Sequence, residues 1–128
     1  MRVLLDTHAL AWWFENDERL GIKAKAAIGS GANTVLVSVV SAFEMSLKHR
    51  IGKWPEIAPL LRNLADYLQG QQFDVLQLSL QHAELAGNLP VSHRDPFDRL
   101  LIAQATLEDA MLVSNERVFD QFGVRRLW

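Results

Sequence analysis

Short apolar runs of strand length alternate along this chain with segments of helical periodicity. Strands are predicted over residues 2–5, 34–38, 73–78, 110–114 and 124–127, and helices over residues 7–14, 22–28, 41–50, 56–69, 80–87 and 97–107. Such alternation is typical of a parallel sheet with helices packed on both faces. The sequence therefore predicts an α/β fold with a central, mainly parallel sheet.

Length and composition limit the organisation of this fold. At 128 residues the chain is expected to form a single domain, residues 1–128, with one core. Cysteine is absent, which excludes disulfides, thiolate zinc sites and a cysteine nucleophile. The apolar run at the N-terminus ends at Asp6 and is too short for a signal peptide or a membrane span, so we expect a cytoplasmic protein with no membrane partner.

Four acidic residues lie where a predicted strand gives way to a helix. Asp6 ends the first strand, Glu44 opens the helix after the second, and Asp95 and Asp98 open the helix over residues 97–107. The carboxyl ends of parallel strands share one edge of the sheet, where this architecture binds its ligands. Because clustered carboxylates repel one another, we expect a hard divalent cation to hold them together.

Each acid also has a simpler explanation as a helix cap. Asp6 precedes a predicted helix, residues 41–44 have the spacing of a capping box, and Asp95 precedes a proline at the first helical position. Taken singly, each residue fits this role. Capping does not require acids after the first, second and fourth strand segments on one edge, so the coincidence favours a metal site.

Four segments resemble, in order, the motifs of PIN-domain nucleases, and specifically the VapC-like toxins of toxin–antitoxin pairs. They are residues 3–13 (VLLDTHALAWW), 41–48 (SAFEMSLK, followed by Gly52 and Lys53), 93–105 (HRDPFDRLLIAQA) and 112–119 (LVSNERVF, followed by residues 123–125). The third segment is the most specific of the four. The resemblance extends over the whole chain.

The resemblance implies a three-layer α/β/α PIN-like domain that cuts RNA with Mg²⁺ or Mn²⁺. Asp6, Glu44 and Asp98 match the three acids with which the family holds metal, and Asp95 matches its accessory acid. The fourth family acid is usually an aspartate, whereas this chain has Glu116. The resemblance further implies a small antitoxin protein as partner and a homodimer.

Oxygen ligands suit Mg²⁺ or Mn²⁺, which lower the pKa of a coordinated water and neutralise charge at the phosphorus; a second ion, if present, would stabilise the leaving oxygen. We assign Asp6 and Asp98 as principal metal ligands and Glu44 as a ligand or water-orienting base. Asp95 is assigned to the outer shell. So is Glu116, because its additional methylene makes direct metal contact unfavourable. Ser114 offers a hydroxyl to an acid or a water.

Several other side chains are expected to be secondary. His8 is expected to turn away from the acids. The basic stretch that contains Lys48, His49, Arg50 and Lys53 fits either a solvated face or a phosphate contact. His93, Arg94 and Arg99 are expected to pair with Asp95 and Asp98 or with RNA phosphates. Trp12 and Trp13 are expected to pack rather than stack on bases, and Trp54 is expected to anchor a loop.

Two other function classes remain open. A phosphoacceptor receiver-like domain has this length and an aspartate after its first strand, but it also needs an aspartate after the middle strand and a lysine after the last, and neither is present. A catalytically impaired PIN-like module that binds RNA or protein is the second alternative. Retention of Asp6, Glu44 and Asp98 argues against that module, and Glu116 argues for it.

Overall fold

A five-stranded parallel sheet forms the middle layer of the protein. The computed structural model describes residues 1–90 and 92–128. Its strands are β1 (Arg2–Leu5), β2 (Thr34–Ser38), β3 (Asp74–Leu76), β4 (Met111–Val113) and β5 (Arg126–Leu127). They are ordered β3-β2-β1-β4-β5, and every neighbouring pair is parallel. The strand order reverses between β1 and β4, the topological switch point at which open α/β sheets bind ligands.

Helices connect the strands and cover the sheet. They are α1 (Thr7–Glu15), α2 (Ile22–Gly29), α3 (Val39–Arg50), α4 (Ala58–Arg62), α5 (Leu64–Gly70), α6 (Leu80–Asn88) and α7 (Pro96–Leu107), with short 3-10 helices at Pro55–Ile57 and Arg117–Phe122. Within the described part of the chain, no helix has the length and apolar character needed to cross a membrane.

Alternate residues of the central strand pack on opposite faces of the sheet. Val3 and Leu5 belong to one buried cluster with residues of α1, α2, α4 and α5. Leu4 belongs to a second cluster, with Leu101 and Ile102 of α7. Burying a side chain of this kind contributes roughly 1.5–3 kcal/mol to the stability of the folded state. The two clusters therefore hold helices against both faces of the sheet. The predicted three-layer α/β/α architecture is confirmed.

The strand order also separates this fold from a receiver-like domain. Receiver-like domains have the order 2-1-3-4-5, in which the third strand lies beside the first. Here β3 pairs with β2 at the edge of the sheet, and β4 occupies the place beside β1. The receiver-like alternative is therefore wrong.

The helix predicted over residues 56–69 is wrong as one continuous element. The segment contains the 3-10 helix followed by α4 and α5, and the backbone leaves the helical region at Asn63, with φ −137° and ψ 41°. Pro59 favours the first turn of a helix over its interior, and asparagine also favours helix ends. The apolar spacing still identifies the buried side: Leu60 and Leu68 are buried, while Ala65 is exposed.

The remaining differences lie at element ends. The third, fourth and fifth strands are shorter than predicted, at three, three and two residues. Helix α3 begins at Val39 rather than Ser41, because the side chain of Ser38 accepts a hydrogen bond from the amide of Val40 at 3.0 Å. Residues 41–44 are therefore inside the helix and do not form a capping box.

Candidate active site

A cavity of about 240 Å³ contains all five acids that the sequence singled out. It is lined by Asp6, Thr7, His8, Glu44, Lys48, His93, Asp95, Asp98, Leu101 and Glu116. These residues come from the end of β1, the starts of α1 and α7, the middle of α3 and the segment after β4. The cavity thus lies at the switch point between β1 and β4.

Asp6 is both a helix cap and a wall of the cavity. Its backbone amide continues the sheet by donating to the carbonyl of Val113 at 3.0 Å. Its Oδ1 atom accepts a hydrogen bond from the amide of Ala9 at 2.7 Å and so caps α1. The residue is only 6% exposed. The capping and site explanations for Asp6 are therefore compatible.

Glu44 lies in the second turn of α3, and both of its carboxylate oxygens have partners. Oε1 accepts a hydrogen bond from the Thr7 hydroxyl at 2.6 Å, and Oε2 lies 2.5 Å from the Lys48 ammonium. The Thr7 hydroxyl is also 3.0 Å from the Ser41 hydroxyl. Lys48 therefore supplies a counter-charge inside the cavity.

Asp95 and Asp98 begin α7, which follows α6 and a loop. The prediction that a strand leads directly into these two residues is therefore wrong. Asp95 caps α7 by accepting from the amides of Phe97 at 2.9 Å and Asp98 at 3.1 Å. The Oδ2 atom of Asp98 lies 2.8 Å from Nε2 of His93.

Glu116 occupies the outer corner of the cavity. Its side chain is exposed, and its amide donates to the hydroxyl of Ser114 at 3.0 Å. Ser114 is fully buried, and its side chain also hydrogen-bonds Asp6. The Ser114 hydroxyl, which was expected to bind an acid or a water, thus connects the end of β4 to Asp6.

The protonation of two acids is shifted strongly. The pKa of Asp6 is raised to about 7, chiefly by burial; its hydrogen bonds with Ser114 and the amide of Ala9 lower this pKa, and the charges of Glu116 and Asp98 act in the same direction as burial. Burial also raises the pKa of Asp98 to about 6, with Asp95 and Glu116 acting in the same direction and His93 opposing them. Both carboxyls would be better accommodated as anions if a cation lay beside them.

The donor set fits Mg²⁺ or Mn²⁺ in chemistry, because its ligand atoms are carboxylate oxygens. The described part of the chain nevertheless contains no ready-made group of three acid, histidine or cysteine side chains able to hold an ion. In the structure Glu44 instead contacts Lys48, and Asp98 contacts His93. A divalent cation would have to replace these partners.

The structure corrects the expectation for His8 and shows the contacts of two further neighbours, Arg99 and Trp12. His8 lines the cavity and does not turn away from it. The Arg99 guanidinium donates to the carbonyls of Ala86, Gly87, Leu89 and His93. The packing role of Trp12 is confirmed, because it is buried against Trp128.

Sequence reasoning missed the roles of Thr7 and Lys48. Lys48 follows Glu44 by four residues, the spacing at which opposite charges meet on a helix, and this signal was present in the sequence. Thr7 gave no comparable signal, since its contact with Glu44 joins residues 37 positions apart. The partner of Asp98 was among the expected ones, because His93 was expected to pair with an acid.

Comparison with known proteins places this architecture in a family. The model of the PIN domain family matches residues 3–124. Ribonuclease VapC22 of Mycobacterium tuberculosis is 31% identical over 119 residues, which cover 90% of this chain and 87% of that protein.

Solved structures share the fold at lower identity. VapBC2 from Rickettsia felis, bound to a DNA fragment from its promoter, has a TM-score of 0.69 and 17% identity, covering 98% of this chain and 97% of that one. DNA-bound VapBC from Salmonella typhimurium has a TM-score of 0.68 and 19% identity, covering 98% and 96%. The family model and the relative of 31% identity cover nearly the whole chain, and so the chain belongs to the PIN domain family, in its VapC-like group.

Proposed function

We propose that this protein is a metal-dependent endoribonuclease that hydrolyses RNA phosphodiester bonds and acts as the toxin of a toxin–antitoxin pair. One observation carries the proposal: acids from four separate segments meet in one cavity, where the pKa values of Asp6 and Asp98 are raised to about 7 and about 6. Strongly shifted acids in a cleft are typical of catalytic sites. The VapC22 relative, which carries the name ribonuclease, supports the same activity.

Asp6, Glu44 and Asp98 would hold Mg²⁺ or Mn²⁺ in this proposal. The bound ion would neutralise charge at the phosphodiester and lower the pKa of water beside it. The ion would take the place of Lys48 beside Glu44 and of His93 beside Asp98. Both side chains would then be able to contact the phosphate.

Other residues in and beside the cavity have supporting roles. Thr7 and Ser41 hold Glu44 in position through the hydroxyl pair, and Ser114 does the same for Asp6. Asp95 fixes the first turn of α7 and therefore the direction in which Asp98 points. Glu116 adds negative charge at the rim, where it would reach the ion through water.

The direct test is cleavage of defined RNAs in vitro with Mg²⁺ or Mn²⁺, comparing the wild type with Asp98→Asn. We expect the wild type to cut and the variant to be inactive, because the amide cannot supply the missing charge. RNA binding without cleavage by the metal-loaded wild type would instead support the catalytically impaired binding module, which the exposed Glu116 at the family's fourth acid position favours.

An antitoxin partner belongs to the same proposal. Solved relatives of this fold are described as VapBC and as a toxin–antitoxin complex. An acidic cavity is suited to an arginine or lysine from a partner, which would displace metal and exclude RNA together. We expect a small protein encoded beside this one, with a basic C-terminal segment, to suppress cleavage in the cytoplasm. Toxicity unchanged by co-expression of every neighbouring small reading frame would contradict this. The homodimer stays a prediction.

A further inference from the structure

A second cavity adjoins the acidic one and has the opposite chemistry. It has a volume of about 290 Å³ and is lined by His8, Lys48, Lys53 and Trp54. Two of these residues, His8 and Lys48, also line the acidic cavity, so the two cavities share one wall. The volume is near the lower end of small-ligand sites, roughly 300 Å³, which suits one nucleotide unit.

The end of α3 builds this second cavity. The amides of Lys53 and Trp54 both donate to the carbonyl of Lys48, at 2.9 and 3.1 Å. Gly52 lies between them and the helix with φ +78°, a left-handed conformation that glycine adopts without strain. This turn brings Trp54 back toward the start of α1. The Trp54 position is therefore fixed by backbone hydrogen bonds.

Trp54 and His8 form a stacked aromatic pair in the cavity wall. Their ring centroids are 4.8 Å apart and their planes differ by 24°. Both residues are only partly buried, so the pair contributes π-surface to the cavity. Aromatic surfaces beside a cationic groove are the usual means by which proteins bind single-stranded nucleic acid.

The two cavities that share the Trp54–His8 pair differ in the charges of their other lining residues. The cavity of Lys48 and Lys53 contains no acid among its lining residues. A third cavity shares Trp54 and His8 and is also lined by Glu15, Glu56 and Arg19. The Arg19 guanidinium is bound by Asp17. Because Lys48 is paired with Glu44, the phosphate is attracted to Lys53 in the second cavity.

We infer that the cavity of His8, Lys48, Lys53 and Trp54 binds the RNA nucleotide next to the cleaved phosphodiester. The base stacks on the Trp54–His8 pair, and its phosphate lies beside Lys53. This inference rests on the proposed ribonuclease function. It assigns Trp54 and Lys53 to substrate binding and not to the chemical step.

RNA binding can be measured without cleavage in an Asp98→Asn background, with a short single-stranded RNA labelled for fluorescence anisotropy. Adding Trp54→Leu should weaken binding by about 10-fold to 100-fold, because leucine fills space without a π-surface. Adding Trp54→Phe should retain most of the affinity. The phenylalanine variant and thermal melting separate loss of stacking from loss of folding.

Lys53 is tested by the salt dependence of the same binding. Lys53→Ala should lower the slope of log affinity against log salt by about 0.7, as expected for the loss of one phosphate contact to a single strand. Lys23→Ala is the matched control, because Lys23 is also exposed but lies on α2 outside the cavity. This control should leave the slope unchanged.

Kinetics in the otherwise wild-type protein distinguish the possible failures. Trp54→Leu and Lys53→Ala should raise KM while kcat stays close to the wild-type value. If the wild type cuts RNA and both variants bind and cut it equally well, the inference is wrong and the ribonuclease proposal stands. A wild type that binds RNA through Trp54 without cutting it would overturn the ribonuclease proposal, and with it the placement of the nucleotide beside a cleaved phosphodiester, while the RNA-binding role of Trp54 would stand. Variants that bind RNA normally but lose the antitoxin would show a protein interface instead and overturn the inference.

Discussion

Glu116 tests which carboxylates would contact the ion directly and which would contact it through water. Asp6 is buried, whereas the Glu116 side chain is exposed and would contact an ion through water. Loss of an outer ligand costs on the order of 10–100-fold, so Glu116→Ala should retain weak cleavage and Glu116→Asp most of it. Asp6→Ala and Asp98→Ala should be inactive.

Single-turnover cleavage of one RNA at saturating Mn²⁺ measures these differences, after circular dichroism confirms that each variant is folded. If Glu116→Ala proves as inactive as Asp98→Ala, Glu116 contacts the ion directly. In that case Glu116, which replaces the usual aspartate of the family, is a direct metal ligand and not an acid that acts through water.

Lys48 has opposite effects on stability and on metal binding. Glu44 is 7% exposed, and Lys48→Met would leave this carboxylate with the Thr7 hydroxyl alone. A buried group that loses a charged partner costs about 1–3 kcal/mol, so the metal-free variant should unfold at lower denaturant. Without its internal competitor, Glu44 should also bind Mn²⁺ more strongly.

Denaturant unfolding with and without Mn²⁺ checks both signs, and Lys23→Met, at an exposed position of α2, is the control. Equal stability of Lys48→Met and the control in the absence of metal would show that the ion pair contributes nothing. A weaker Mn²⁺ effect in Lys48→Met would mean that Glu44 is not a ligand.

At the level of elements, Arg99 connects the end of α6 to the start of α7. Its guanidinium donates to Ala86 O at 2.9 Å, Leu89 O at 2.9 Å and His93 O at 2.9 Å, with Gly87 O at 3.3 Å. The segment after α6 leads to His93 and Asp95, which set the position of Asp98. A single arginine therefore controls how precisely the start of α7 faces the cavity.

Arg99→Lys should keep the charge but lose the fork of donors. We expect about a tenfold loss of cleavage with unchanged secondary structure, because small displacements of catalytic groups are costly. Hydrogen exchange should accelerate in peptides that contain His93 and Asp95. Wild-type exchange in those peptides together with wild-type activity would show that the fork is dispensable.

Elements also show where sequence reasoning was sufficient. Residues 34–38 were predicted as a buried strand because short apolar runs rich in β-branched residues favour one, and β2 has these bounds. The helix over residues 56–69 was wrong because hydrophobic spacing reports which side faces the core and does not report backbone continuity. The break at Asn63 depends on local backbone geometry that the apolar pattern does not encode.

For the whole molecule, the sequence predicted which acids meet but not what holds them. The parallel sheet brings Asp6 and Glu116 to one edge by topology alone, and that edge was predictable. The contacts of Thr7 with Glu44 and of Arg99 with the loop carbonyls depend on how helices pack across the sheet. Such contacts leave no periodic signal in a single sequence.

The shared cavity also links stability to pH. The pKa of Asp6 is raised from 3.8 to about 7, and that of Asp98 from 3.8 to about 6. Between pH 3.8 and about 7 the folded protein therefore binds more protons than the unfolded chain. Stability therefore falls as pH rises through this range. His8, whose pKa burial lowers, acts in the opposite direction. Asp17, with its pKa lowered to about 2, affects stability only at more acidic pH.

We therefore expect metal-free protein to melt at lower temperature at pH 8 than at pH 5, by roughly 5 °C or more. Asp98→Asn should melt higher than the wild type at pH 8, because one of the repelling charges is gone, and the two should converge toward pH 4.5, where Asp98 is protonated. Mn²⁺ should raise the wild-type melting temperature at pH 8 and have little effect on the variant, since binding to the folded state alone stabilises it. Thermal melts in EDTA and in millimolar Mn²⁺ across this pH range measure all three effects. A wild type that gains nothing from Mn²⁺ at pH 8, although its stability falls with rising pH, would show that the carboxylates repel one another without forming a metal site.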